Sequence, residues 1–168
     1  MKKTGIVGIG DMGSGIAKNL IAKGFQVTGI DAMAARQEAF ARMGGQSAAS
    51  VAEVGAASDA VFVMVMKGEE AREVIVGAQG LVATMPEGGA VILSATIKPA
   101  EAKAIAAEMS GSGIHLIDTP VSGGYPGAQA GTLTMMAAAP DAVLDEFAPV
   151  MEAVSANIHR VGTRAGDG

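Results

Sequence analysis

Apolar positions recur along this chain in two rhythms: short unbroken runs, and stretches spaced three or four residues apart. The first rhythm predicts buried strands and the second amphipathic helices. Thr4-Gly5-Ile6-Val7-Gly8-Ile9 is the earliest run and reads as a short buried strand. Ile16 with Leu20, and Ala17 with Ile21, then stand four apart, leaving Lys18 and Lys23 for solvent, so a helix begins at once. Gly24 is placed to stop that helix, and Gln26 to Ile30 predicts a second strand ending at Asp31.

The same alternation continues. Ala32 to Met43 reads as a helix closed by Gly44-Gly45, and Ser50 with Glu53 caps a short one through Ala56. Ala60 to Val65 is a buried strand, followed by a helix from Glu69 to Val76. Ala90 to Leu93 is the next strand, and Pro99 opens a helix to Met109. Ile114 to Ile117 follows as a strand. Beyond a glycine-rich stretch come a strand from Thr132 to Ala138, a helix after Pro140-Asp141, and a last strand from Asn157 to Val161. This order implies right-handed crossovers in an α/β fold. The expected sheet is doubly wound, mostly parallel and Rossmann-type, with helices on both faces and antiparallel pairing near its end.

Composition narrows the partners. The 168 residues suit one domain, and their apolar content is chiefly Ala, Val, Ile and Met, with four Phe, one Tyr and no Trp. Small side chains of this kind let helices pack closely on a parallel sheet. A net charge of −5 argues against nucleic acid. The absence of Cys excludes disulfides and cysteine metal sites, and no metal site is expected. Lys2-Lys3 precede an apolar run too short and glycine-interrupted for a secretion signal. The longest apolar stretch, Ala60 to Met66, has strand length, so neither a membrane span nor a location outside the cytoplasm is expected.

Candidate chemistry sits between the first strand and the first helix, at Gly8-Ile9-Gly10-Asp11-Met12-Gly13. Gly8 permits a tight turn, Gly10 lets backbone approach a pyrophosphate, and Gly13 lets helix pack on strand. Unpaired N–H groups at the helix start then face the phosphates. Asp31 falls roughly twenty residues on, where a carboxylate accepts hydrogen bonds from an adenosine ribose. Strand, turn, helix, second strand and acid together predict a dinucleotide site. Ligands of such sheets lie beyond the carboxyl ends of the strands. The loops expected there are Met66-Lys67-Gly68, Ser94 to Pro99, and Asp118-Thr119-Pro120-Val121-Ser122-Gly123-Gly124. The last can present bare amides to an anion, although its composition alone equally describes a plain turn.

These segments resemble the β-hydroxyacid dehydrogenases, the 3-hydroxyisobutyrate dehydrogenase group related to 6-phosphogluconate dehydrogenase. The resemblance begins at Gly8 to Gly13 with Ala17, Asn19 and Leu20 and continues at Thr96-Ile97-Lys98-Pro99. It is strongest at Asp118 to Gly124 with Gly127-Ala128 and Gly131-Thr132-Leu133, and it covers essentially the whole chain. It implies a nicotinamide cofactor, NAD in preference to NADP, held by Gly8, Ile9, Gly10, Asp11, Met12 and Gly13, with Asp31 on the adenosine ribose. Val65, Met66 and Lys67 would line the adenosine half, and Thr96 would lie by the nicotinamide ribose. Ser122, Gly123 and Gly124 would grip the carboxylate of a small hydroxy acid such as 3-hydroxyisobutyrate or threonate. Lys67 and Ala95 stand where relatives often have proline and serine.

In the family, a helix beginning after a Gly-x-Gly element carries the catalytic lysine, and an all-helical domain completes the active site and the dimer. Here Gly166-Asp167-Gly168 matches that element, and the lysine is expected beyond Gly168. The expectation is therefore a cofactor domain over 1–168 that is inactive alone and oligomeric only with the helical domain. Lys98, His115 and His159 are the local substitutes to weigh, and none is a convincing base. Arg36 counts toward NADP, because an Arg near the ribose accommodates a 2′-phosphate. A methyltransferase, an imine reductase sharing this domain, and a non-catalytic cofactor-binding module are the rival readings.

Overall fold

Short apolar runs become strands and periodic stretches become helices throughout the computed structural model, which describes residues 1–168. The chain runs β1 (Thr4–Val7), α1 (Asp11–Ala22), β2 (Val27–Ile30), α2 (Ala34–Arg42), β3 (Gln46–Ser47), α3 (Val51–Ala56) and β4 (Ala60–Val63). Next come α4 (Gly68–Val76), α5 (Leu81–Thr84), β5 (Ala90–Leu93), α6 (Pro99–Met109), β6 (His115–Asp118) and β7 (Val121–Ser122). It closes with α7 (Gly124–Ala130), β8 (Leu133–Ala138), α8 (Asp141–Glu152) and β9 (Ser155–Gly162).

Nine strands form one sheet in the order β3-β2-β1-β4-β5-β6-β8-β7, with β9 on the other side of β8. Strands β3 to β6 are parallel throughout. Strand β8 runs antiparallel to both β6 and β7, while β9 runs parallel to β8. The doubly wound sheet and its antiparallel end are thus both present. The chain winds outward from β1 to β3, then returns to build β4 on the opposite side of β1. Ligand crevices form at such reversals, outside the carboxyl ends of the strands.

Alternation along the strands sorts the core into two layers. Ile6, Phe62 and Ile92 join the cluster under α1, α2 and α8. Val7, Val61, Val63, Val91 and Leu93 join the cluster under α3 to α6. Phe40, fully buried, sits in a slot that glycines make: a Cβ on Gly29 would lie 2.8 Å from its ring, and one on Gly45 would strike it. Phe40→Ala should cost about 3–5 kcal/mol.

Several boundaries differ from expectation. Strand β1 stops at Val7 because Gly8, at φ +95°, turns the chain. Strand β4 stops at Val63, which puts Val65 and Met66 in the following loop. The glycine-rich stretch that begins at Val121 contains β7 and α7 rather than loop alone. Gly-Tyr-Pro-Gly carries no helical periodicity, and α7 is held by tertiary packing, with Gly127 and Ala128 buried. Elements as short as β3 and α5 have no periodic signal to read. No helix is long and apolar enough to cross a membrane.

Candidate functional site

The turn between β1 and α1 has three glycines with different reasons to be there. Gly8 donates its N–H to Ile30 O at 3.0 Å, and a side chain there would strike Met64 O at the end of the neighbouring strand. Gly13, inside the first turn of α1, faces Gly8 O, which a Cβ would strike. The chain's own packing therefore demands both. Gly10 is different. Its φ of −78° suits any residue, and a Cβ would meet nothing nearer than the Arg36 guanidinium at 3.6 Å. The fold leaves that side of Gly10 open. Gly10 is also the N-cap of α1 and has no side-chain capping bond, so the first-turn amides have no partner within the helix.

Asp31 closes the turn from the second strand. Its Oδ2 accepts from Ile9 N at 2.7 Å and its Oδ1 from Met33 N at 2.8 Å, and its side chain is only 7% exposed. Each carboxylate oxygen retains capacity for a further donor. The Arg36 Nη1 lies 3.7 Å from Asp31 Oδ2 on a half-exposed side chain. At that separation, with the cation half in solvent, the pair contributes about 0–1 kcal/mol, so the guanidinium is not committed to its partner. Gln37 steadies the strand end: its Oε1 accepts from Asp31 N at 2.7 Å, and its Nε2 donates to Gly29 O and Ala48 O.

Two adjoining recesses share Gly8, Asp31, Arg36, Met64, Val65 and Met66. One, of about 420 Å³, has mostly apolar walls that include Val7, Ile30, Val51 and Val74. It suits a flat ring. The other, of about 550 Å³, carries the glycine turn on one side and Thr96, Val121 and Gly124 on the other. It suits phosphates and the groups beyond them. A larger groove of about 900 Å³ between α6 and the C-terminal tail contains Asp167 but none of the predicted cofactor or substrate residues.

Most of the sequence-predicted residues converge. Gly8, Gly10, Asp11, Met12, Gly13, Asp31, Val65, Met66, Thr96 and Gly124 line the second recess. Ile9 instead buries its side chain in the core and offers only its N–H, to Asp31. Lys67 is exposed at the N-cap of α4 and lines neither recess. Ser122 is exposed on β7, paired with Thr134, and neither it nor Gly123 lines a recess. The three weighed bases stand elsewhere. His115 begins β6 opposite Ala90, at the amino end of the sheet, and His159 is exposed on β9. Lys98 is exposed at the N-cap of α6, its backbone N–H bonded to Glu101 Oε1.

Sequence reasoning assigned no role to Ser94, which lines the recess with a buried hydroxyl lacking any hydrogen-bond partner. It lies in a loop flagged for its position, but strand-end geometry alone reveals which way it faces. Asp118 is likewise buried, and its Oδ2 accepts from Gly166 N at 2.7 Å and Gly168 N at 3.4 Å. The Gly166-Asp167-Gly168 element thereby returns to the carboxyl edge of the sheet, against Asp118 and Pro120.

Known proteins share this arrangement. Residues 3–162 match the family model described as the NAD binding domain of 6-phosphogluconate dehydrogenase. The chain is 35% identical to an L-threonate dehydrogenase of Cupriavidus necator, over 99% of its own length and 56% of that protein. It superposes on a Mycobacterium tuberculosis 3-hydroxyisobutyrate dehydrogenase structure with L-serine at a TM-score of 0.93. The identity there is 30%, covering 99% of this chain and 57% of that one. A structure described as Psf3 in complex with NADP+ and 2-OPP is 27% identical, with a TM-score of 0.89, covering 97% of this chain and 57% of that one. The chain spans about half the length of the curated relatives it matches.

Proposed function

This chain belongs to the family of the NAD binding domain of 6-phosphogluconate dehydrogenase, and from that membership we propose that residues 1–168 are the cofactor half of a hydroxy-acid dehydrogenase. Its relatives include dehydrogenases named for small hydroxy acids, L-threonate among them. The observation that carries the reading is Gly10. Nothing in the fold requires a glycine there, yet one stands where backbone must come close to a ligand. The dinucleotide would lie with its adenine in the apolar recess, its pyrophosphate on the α1 amides, and its nicotinamide toward Thr96 and Ser94. When bound, the nicotinamide supplies the hydride chemistry. Asp31 receives the adenosine ribose, Gly8 and Gly13 hold the turn tight, and Met12, Val65 and Met66 exclude water. Ile9 serves through its amide. Asp11 stands at the positive end of the α1 dipole, and Lys67 flanks the adenosine side.

NAD is the preferred cofactor. A carboxylate at the end of β2 accepts from ribose hydroxyls and repels a 2′-phosphate, and each ~1.4 kcal/mol of such repulsion is tenfold in affinity. Arg36 opposes it from the side of Gly10, so the preference is modest. Ser122, Gly123 and Gly124 receive the carboxylate of a small 3-hydroxy acid. The proton-transferring group comes from residues outside 1–168, in the helical domain that also brings the dimer contacts. Lys98, His115 and His159 do not fill that role, because none lines the recess. The expected compartment is the cytoplasm.

Three assays test this reading. NADH fluorescence titration of the 168-residue chain should give binding, and calorimetry should give tighter binding of NADH than of NADPH. Steady-state NADH production with 3-hydroxyisobutyrate or threonate should be absent or very slow, since a placed base contributes about 10²–10⁴-fold. Rapid turnover by these residues alone overturns the division of labour, and tighter NADPH binding overturns the cofactor preference. Asp31→Ala should narrow that preference.

A further inference from the structure

Helices α1 and α7 are joined by one side chain. Asn19, two turns beyond the glycine turn, donates from Nδ2 to Gly15 O at 2.9 Å, Ala128 O at 2.8 Å and Gln129 O at 3.0 Å. An amide nitrogen has two hydrogens, so three acceptors share them. The first bond stays within α1, while the other two take the carbonyls near the end of α7. Contact is close on every side. A Cβ on Gly15 would lie 2.5 Å from the Ala128 carbonyl carbon, and one on Gly131 would lie 2.7 Å from Asn19 Oδ1. Gln129 Nε2 adds a 3.3 Å bond to Ser14 Oγ, one turn from the phosphate-facing amides. At its other end, α7 begins at Gly124, whose neighbour Gly123 accepts from Gly127 N at 3.0 Å. The helix start of the glycine turn and the Ser122–Gly124 loop are therefore tied to one rigid joint, on opposite sides of one recess.

We propose that Asn19 is a positioning residue that sets the spacing between the glycine turn and the Ser122–Gly124 loop. The inference rests on the reading of those two segments as the dinucleotide and carboxylate sites. Asn19 lines neither recess, so it acts through α7 and not by touching a ligand. No other polar link in the chain spans α1 and α7 with more than one bond, and α7 has too little helical propensity of its own, with Pro126 and Gly127 inside it, to hold position unaided. Isosteric Asn19→Asp removes both donors and puts a carboxylate against three carbonyls. Asn19→Ala removes the link without adding charge.

The test uses both variants of this chain. Amide hydrogen exchange should rise over residues 124–132 and stay unchanged over 8–13. NADH affinity should remain within ~3-fold, because the turn is built on β1 and β4 contacts. Binding of 3-hydroxyisobutyrate to the NADH complex, read by the fluorescence of Tyr125, the chain's one tyrosine, should weaken ~10-fold or more, since sub-ångström misplacement acts on orientation. Unchanged exchange over 124–132 overturns the proposal. So does a parallel loss of both affinities in step with a lower Tm, which marks Asn19 as part of the general packing. If the unaltered chain with NADH binds no hydroxy acid, the carboxylate site needs the helical domain as well as the loop. Exchange then decides the spacing role alone: a rise confined to 124–132 upholds it, and no rise overturns it.

Discussion

Two glycine-bearing turns flank the recess, the second reaching it only through Gly124, and they are built on different principles. At residues 8–13 space decides for two of the three glycines: Gly13, and Gly8 in addition to its φ of +95°, are pressed by backbone oxygens of Gly8 and of Met64. At residues 122–124 they answer to conformation. Gly123 has φ +125° and Gly124 φ +59°, yet a Cβ on Gly123 would meet nothing closer than Leu133 Cδ2 at 3.4 Å. The first turn is wedged between neighbouring strands and has little freedom. The second is exposed and is held in place from behind, through α7. On the proposed reading, the rigid turn suits the cofactor common to the family, and the loop steadied at a distance suits the substrate that varies within it.

The comparison is easiest to break at Gly13. Gly13→Val would drive two methyl groups toward Gly8 O, and overpacking against backbone costs about 3 kcal/mol or more. For a chain of this size that lowers Tm by roughly 6–12 °C, and NADH binding should vanish with the turn. Thermal unfolding with a parallel NADH titration checks both. A stable variant would show that the turn is not wedged.

Gly123→Val should be milder, since only the left-handed backbone is strained, at about 1–3 kcal/mol. Tm should fall by roughly 2–12 °C, with NADH affinity nearly intact and hydroxy-acid binding lost. Equal loss of both ligands would instead mark the loop as structural.

Gly10→Val sharpens the contrast from the other side. The fold has room for the side chain, so Tm should move by only about 1–2 °C, as for an ordinary surface change. NADH affinity should nonetheless drop ~10-fold or more, equivalent to about 1.4 kcal/mol. Unchanged affinity would remove the main support for a dinucleotide on this turn.

The smallest effect is expected at Arg36. Loss of its exposed pairing with Asp31 should change stability by about 0–1 kcal/mol, while NADPH binding weakens more than NADH binding. Calorimetry with both cofactors on Arg36→Ala reads that difference. An equal change for both would take Arg36 out of cofactor choice.

How much was legible beforehand depended on how local the cause was. The β1–turn–α1–β2 unit could be read because its signals lie within one short stretch: an apolar run, three spaced glycines, a four-residue periodicity and a terminal acid. Asp31 arrived where the spacing put it, with its oxygens on Ile9 and Met33. The stretch after Ser122 was legible only as a set of matching residues. Its helix has a Pro and two Gly in its first four residues, and it forms because Gly15 gives it room and Asn19 holds its carbonyls. Ser94 shows the same limit, since nothing in its neighbours says that its hydroxyl lies buried without a partner.

The amino-acid order by itself determined the alternating α/β elements, the parallel sheet with its antiparallel end, and the place of the glycine turn and its acid. Each follows from unbroken apolar runs, from a 3.6-residue periodicity, or from backbone freedoms that single residues carry. Tertiary structure alone decided which glycines serve packing and which leaves an opening, where Arg36 stands relative to Asp31, and how α7 is fixed to α1. The last of these depends on groups more than a hundred residues apart, as Asn19 and Ala128 are. No local pattern carries such a distance. Only the folded sheet brings these groups within reach.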